Sequence, residues 1–577
     1  MRKHIYILYI FLFVTVGSLW AQDKDNDTLQ TGVINVVKPY TPSISDAFKV
    51  KETPNLDDDV NTTKKDVQYN ILSVPVASTF TPAKGKAATL EKTTPAKLFD
   101  NYATLAGGSY TTLVGDVYLN YALSRTDHVG ASVSHHSSQT GIDEALLDHY
   151  FYDSKIDLNY SRYLRDLTWN VDAGFIHQVY NWYGLPQPFF TPLSEQSSLG
   201  VSHTFYGGNI GGDIGFEDGY IKTAKVLLRH FGDNNGSGEN RFNAKVSGDV
   251  TIGEAAITAD IMFDYVGGSF DRNYWTSDEI KYGNFNIGLA PSYRLIQDDL
   301  TLDLGVSTYY LNDFENGGNK FYIYPNIEAS YRIVNDVLIA YGGIKGGLIQ
   351  NSYYDFAQEN PFISPTLNIM PTDQQYNAYV GLRGKVSNTM SYTISGGYMA
   401  DRGKALFKSN EVLVVGAEEV YQNGNSFNVV YDDVNTFNIG GELSVDLNRN
   451  ITVGVKADYF IYGTDDQTEA WNLPNFKGSL FGDFQIDEHW FAGASMFFVG
   501  ERKDELVFAN SLVPMESSVV SLDGYFDLNL HAGYHINDRW SVFLKGNNLA
   551  SQNYQRWMNF PVQGIQVLGG VTYKFNF

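Results

Sequence analysis

The chain has no cysteine. Disulfides, thiolate metal sites, a cysteine nucleophile and an acylated lipoprotein cysteine are therefore all excluded. Beyond the first twenty residues or so there is no apolar run of 18, so no later segment can cross a bilayer as a helix. Positive charge is also scarce. Lys and Arg number 41 against 65 Asp and Glu, a net charge of −24 that argues against nucleic-acid binding. Catalytic signatures are missing as well. "GGIKGG" and "GGNIGG" lack the Walker spacing and its following Ser or Thr, and neither G-x-S-x-G nor H-E-x-x-H occurs. The expectation is a protein that is not an enzyme and carries no cofactor.

What the chain has in excess is aromatic side chains and glycine: 40 Tyr, 36 Phe, 8 Trp and 54 Gly. Tyr and Trp favour membrane interfaces, and Gly fits turns and close strand contacts. The mean hydropathy is slightly negative, as expected when half of each strand faces water. "MRK" followed by "HIYILYIFLFVTVGSLW" reads as a signal peptide, residues 1–21, with cleavage after Ala21. Residues 22–100 are rich in Pro, Thr, Lys and Asp and read as an extended periplasmic or lumenal segment without a large core.

From Asn101 onward alternating segments are joined by polar turns. These fall at Arg125–Asp127, Arg165–Asp166, Glu217–Gly219, Gly253–Glu254, Gln297–Asp299, Asn335–Asp336, Ser387–Asn388, Asn448–Asn450, Asp487–His489 and Asn537–Arg539. After Asp299, Leu300, Leu302, Leu304 and Val306 share one face, while Thr301, Asp303, Gly305 and Ser307 share the other. Longer irregular links, such as "NWYGLPQPFFTPLSEQ" and "ENPFISPTLNIMPTDQQ", lie between these turns. Short turns on one side and long loops on the other predict an all-β, transmembrane, antiparallel up-and-down barrel of about 22 strands over residues 101–577. In the terminal "IQVLGGVTYKFNF" the odd positions are apolar, aromatic or glycine; the even ones are polar or small, except Leu568.

Two stretches carry a family resemblance. "AWNLPNFKGSLFGDFQIDEHWFAGASMFFVGER" and "KGNNLASQNYQRWMNFPVQGIQVLGGVTYKFNF" resemble the last strands of TonB-dependent receptor barrels. The resemblance implies an outer-membrane location and a transport or receptor role. It also implies that Tyr573, Phe575 and Phe577 form the signal read by the barrel-assembly machinery. "TGVINVV" resembles the family's TonB box in character and position, which makes Val33, Ile34, Val36 and Val37 the candidate TonB contact; the alternative is a strand added to the segment's own fold or bound to a partner. The departure from the family is the plug: about 79 residues separate the signal peptide from the barrel, too few for the usual plug domain. An outer-membrane or periplasmic protein partner is therefore expected beside the lipid. The alternative to transport is a barrel that scaffolds an outer-membrane assembly or secretion complex.

Other candidates are weaker. "DKDND" places Asp23, Asp25 and Asp27 at calcium-loop spacing, but Thr28 and Ile34 stand where Gly and Glu are needed, so a solvated spacer is expected. His135 and His136 face opposite sides of one strand and His128 is distant, a poor metal geometry. The lumen is expected to be closed by residues 67–100, by inward-folding loops such as that around Pro186–Pro192, and by a second protein.

Overall fold

The structure is a computed structural model, and it describes residues 97–143, 145–186, 200–253, 255–413, 417–509 and 516–577. Twenty-two antiparallel strands form one sheet that closes on itself. The first strand, Asn101–Gly108, pairs with the second, Thr112–Ala122, and also with the last, Gln566–Phe575. Asn101 lies opposite Phe575, and Gly108 lies opposite Leu568.

The alternating pattern sets which way each strand faces. In Leu300–Asp313, Leu304 is 42 % exposed and Val306 and Tyr310 are exposed with it, while Ser307 and Leu311 are buried. Asp303 shares the inward parity and meets Arg294 of the neighbouring strand at 2.6 Å. Leu568 is buried on the inner face of the last strand, while Val567 is exposed. The outer face therefore carries mostly apolar side chains, and the inner face carries most of the polar and charged ones, with apolar residues such as Leu311 and Leu568 among them. Two outer-face aromatics of Trp490–Val499 mark the height of the apolar belt. Trp490 and Phe498 are 49 % and 42 % exposed and eight residues apart. That is about 26 Å along the strand and roughly 20 Å along the barrel axis after tilt, close to the apolar thickness of an outer-membrane barrel.

All ten turns anticipated from the sequence lie on one side of the barrel, each two to four residues long. Their Asn and Asp side chains fold the chain back. The Asp487 carboxylate accepts from the backbone of His489 and of Trp490, both at 2.7 Å. Asn537 does the same for Arg539 and Trp540 at 2.9 and 3.0 Å. Asp298 and Asn335 adopt positive φ at two more of these turns. The glycine pairs "GGNIGG" and "GGIKGG" lie within strands. The Tyr379 ring covers Gly343, where a Cβ would also press on the Ile327 carbonyl at 2.7 Å.

The opposite side carries elements the sequence pattern did not announce. A hairpin, Arg502–Ala509 with Glu516–Leu522, lies in a link that reads as irregular, and Val412–Leu413 runs parallel beside it. A second short pair joins Gln555–Trp557 to Phe560–Pro561. A helix, Tyr353–Glu359, stands in the link 350–371. Among the described residues no helix is long and apolar enough to cross a membrane, which says nothing of strands.

Candidate functional site

A barrel of this strand number encloses a lumen too wide for wall side chains alone to fill. The long loops supply the filling at their end. One continuous core joins Leu147, Trp182, Tyr183, Leu185, Tyr274, Tyr353, Phe356, Ile363, Leu367, Tyr421, Trp557 and Phe560, all buried. These residues come from six different links, brought together by aromatic contact. Phe362 stacks on Phe560 with centroids 3.9 Å apart, and Tyr183 meets the same ring edge-on at 4.9 Å. Trp182 lies 5.1 Å from Tyr421, and Trp557 lies 5.4 Å from Phe427. Burying each such ring contributes about 1.5–3 kcal/mol.

The position of this core follows from its wall partners. Phe205, Phe231, Val266, Phe270 and Tyr282 belong to it. They sit in the strands Ser202–Phe216, Ile221–Asp233, Ala255–Phe270 and Ile280–Gln297, with Gly238–Ile252 standing between the second and third. Residues of opposite parity on those four strands, Tyr206, Leu228, Tyr265 and Ile287, are exposed on the outer face. Because side chains alternate, the core residues of these strands point inward. The loops therefore pack inside the wall, across the mouth of the barrel.

The link 350–371 is fastened to the wall by polar groups. Ser352 caps its helix, accepting from the Asp355 backbone at 3.1 Å. Tyr353, Phe356 and Ala357 form the buried stripe. The Tyr353 ring sits 5.0 Å from Phe270 and 5.2 Å from Phe231. Its hydroxyl donates to Asp233 at 2.6 Å, and His203 meets the same carboxylate oxygen at 3.0 Å. Burial and the Asp233 charge hold the Tyr353 phenol well above its ordinary pKa, so it remains a donor. Glu239 accepts from the Tyr353 backbone at 2.5 Å, at the positive end of the helix, and from the Tyr282 hydroxyl at 2.8 Å. Arg241 spans Asp264 at 2.7 Å and Asp355 at 3.0 Å. Arg229 donates to Ser352 at 3.1 Å and lies 3.8 Å over the Tyr354 ring.

The hairpin Arg502–Ala509 has its own buried carboxylate. Asp504 accepts from the Ser409 backbone at 2.9 Å, from Asn472 at 2.7 Å and from the Glu505 backbone at 2.8 Å. Burial outweighs these bonds and pushes its carboxyl up to about 6.

The residues singled out from the sequence are distributed unevenly. Tyr573 and Phe575 lie on the outer face at the short-turn end, where Trp540, Tyr573, Phe575 and Phe577 form a ladder with centroid spacings of 4.4, 5.4 and 5.5 Å. Phe577 also meets Tyr121 at 5.9 Å. Val33, Ile34, Val36 and Val37 lie outside the described residues, as do Asp23, Asp25 and Asp27. His135 bonds Ser154 and Ser137, while His136 packs edge-on against Phe151. Of the loop around Pro186–Pro192, Trp182 to Pro186 are buried in the closure, and 187–199 lie outside the described residues. Sequence reasoning missed Glu239, Arg241 and the helix they hold. The signal available was Ser352 with Asp355 three residues on, a capping pattern.

No family model and no curated protein matches the chain. Solved structures do match in fold. The FrpB iron transporter from Neisseria meningitidis superposes with a TM-score of 0.63 at 10% identity, over 83% of this chain and 82% of that one. The pyoverdine outer membrane receptor FpvA from Pseudomonas aeruginosa gives 0.60 at 15%, over 84% and 79%. The copper transporter OprC gives 0.59 at 11%, over 83% and 81%. The fold is that of the TonB-dependent receptor barrel.

Proposed function

We propose that this protein is an outer-membrane barrel of the transporter and receptor kind, closed at its long-loop end by its own loops and working with a protein partner. The carrying observation is the shared aromatic core across the mouth, which occupies space that wall side chains cannot fill. The apolar outer belt suits lipid. The fold neighbours are transporters and receptors, which supports a role in passage or recognition and fits a protein that is not an enzyme. In this reading residues 1–21 direct export, Val33, Ile34, Val36 and Val37 contact TonB, and Tyr573, Phe575 and Phe577 are read by the assembly machinery. Purification of the full chain in mild detergent, followed by planar-bilayer recording, tests the reading. A closed or rarely open channel supports it, and conductance like that of a permanently open pore refutes it.

A second reading is a scaffold for an outer-membrane assembly. It is favoured by the composition of residues 22–100, rich in Pro, Thr, Lys and Asp, which does not read as a globular plug. A stable stoichiometric partner set in the same purification, without any substrate-dependent growth phenotype, selects it.

A further inference from the structure

We infer that the link 350–371 is the gate of this barrel, and that the pore opens at the long-loop end when this strap lifts from the inner wall. The inference rests on the closure described above and adds which element moves. Three observations carry it.

The strap is bounded by irregular backbone on both sides. The pairing of Leu338–Ile349 with Thr372–Ser387 shifts register between Lys345 and Gly347, and that of Thr372–Ser387 with the next strand shifts between Gln374 and Tyr376. At Gly346, between them, a Cβ would meet the Gln375 carbonyl at 2.5 Å. Pairing resumes for three residues beyond the shift, up to Ile349 opposite Thr372, so the irregularity sits at the base of the strap, where a change of direction leaves the strands behind it paired.

The strap also reaches well beyond its own strands. Gln358 exchanges hydrogen bonds with Gln178 at 2.7 and 3.4 Å, and Gln350 accepts from Asn286 at 2.7 Å. With Asp233, Glu239 and Arg241, these contacts tie it to strands far along the sheet. Its Tyr353 ring stands among Phe205, Phe231 and Phe270 of this stretch of wall.

Finally, polar groups surround the apolar contact of Tyr353 with Phe231 and Phe270 on this side. Asp355, Arg229, Arg241, Glu239 and the Gln178–Gln358 pair are bonded when the strap is down. When it lifts, water replaces each partner, so no charge is left buried and alone. The buried Tyr353, Phe356 and Ala357 side chains favour the lowered state, and the polar groups around them can take water as their partner in a raised one.

The absence of cysteine allows a direct test. In the full chain, Gln178→Cys with Gln358→Cys is bridged by a short bis-methanethiosulfonate reagent, which forms two reducible disulfides with release of sulfinate, and recorded in planar bilayers. The expected result is loss of openings, restored on reduction. Separately, Arg241→Gln and Asp355→Asn should each raise the open fraction about tenfold, with heat-modifiable mobility confirming a folded barrel. Bridged protein that opens as often as unbridged protein overturns the gate, as do folded Arg241→Gln and Asp355→Asn variants that stay as closed as the parent. A parent that conducts as a permanently open pore overturns the closure itself, and is distinguishable because it needs no variant.

Discussion

The wall and the closure are built by opposite rules. In the wall, backbone pairing fixes position, and a side chain has only to suit lipid or water. In the closure, little regular pairing exists, and side chains from distant links fix one another. Phe362 and Phe560 stack although 198 residues separate them. The wall should therefore tolerate exchange within a face and fail on exchange between faces. The closure should fail residue by residue while the wall stands.

The effect on the whole barrel, read as protein reaching the membrane, is expected to be largest where the wall rule is broken at the seam. Phe575→Asp puts a carboxylate on the outer face beside Tyr573, at a cost of about 1–3 kcal/mol depending on depth. Membrane levels should fall several-fold, measured by fractionation and heat-modifiable mobility; normal levels would remove the seam from the assembly signal.

Next comes the closure rule. Trp182→Ala or Phe427→Ala empties the loop core and should cost about 3–5 kcal/mol locally. Limited proteolysis should then cut the long loops while the barrel keeps its heat-modifiable mobility. Loss of both together would mean that the two regions are one cooperative unit.

A smaller effect follows from Asp504. Its carboxyl lies near 6 when folded, above the ordinary carboxylate value, so the folded state holds the extra proton between about 4 and 6. The stability this gives the hairpin is full below about pH 4 and falls as pH rises through about 6. The change is about 3 kcal/mol at most. Asp504→Asn should flatten the dependence of loop proteolysis on pH, and an unchanged slope would assign it to another group.

Much of the wall could be read from the sequence because one period, two, runs through it, and because Asn and Asp mark its turns. Leu304 and Ser307 fall on the faces their parity assigns. The closure has no period. Tyr353 meets Asp233 across 120 residues, and no local pattern in "NSYYDFAQEN" announces that bond. The hairpin Arg502–Ala509 was hidden for a related reason: "RKDELVFA" begins with charges that look like loop, yet Arg502 is buried, donating to the carbonyls of Gln555 and Arg556.

The smallest effect sharpens the wall alone. Asp303→Cys should react with a water-soluble thiol reagent and Leu304→Cys should not, with no change in stability. Reversed labelling would shift the strand by one residue.

The pairing of Asn101 with Phe575 has a consequence in time. Its partners are 474 residues apart, so the ring cannot close until nearly the whole barrel has been made. Until then the sheet has two bare edges, each a template for joining another chain. Completion removes both edges at once. The unfinished barrel is thus the hazardous species, and a helper that shields those two edges protects the chain for as long as they remain unpaired.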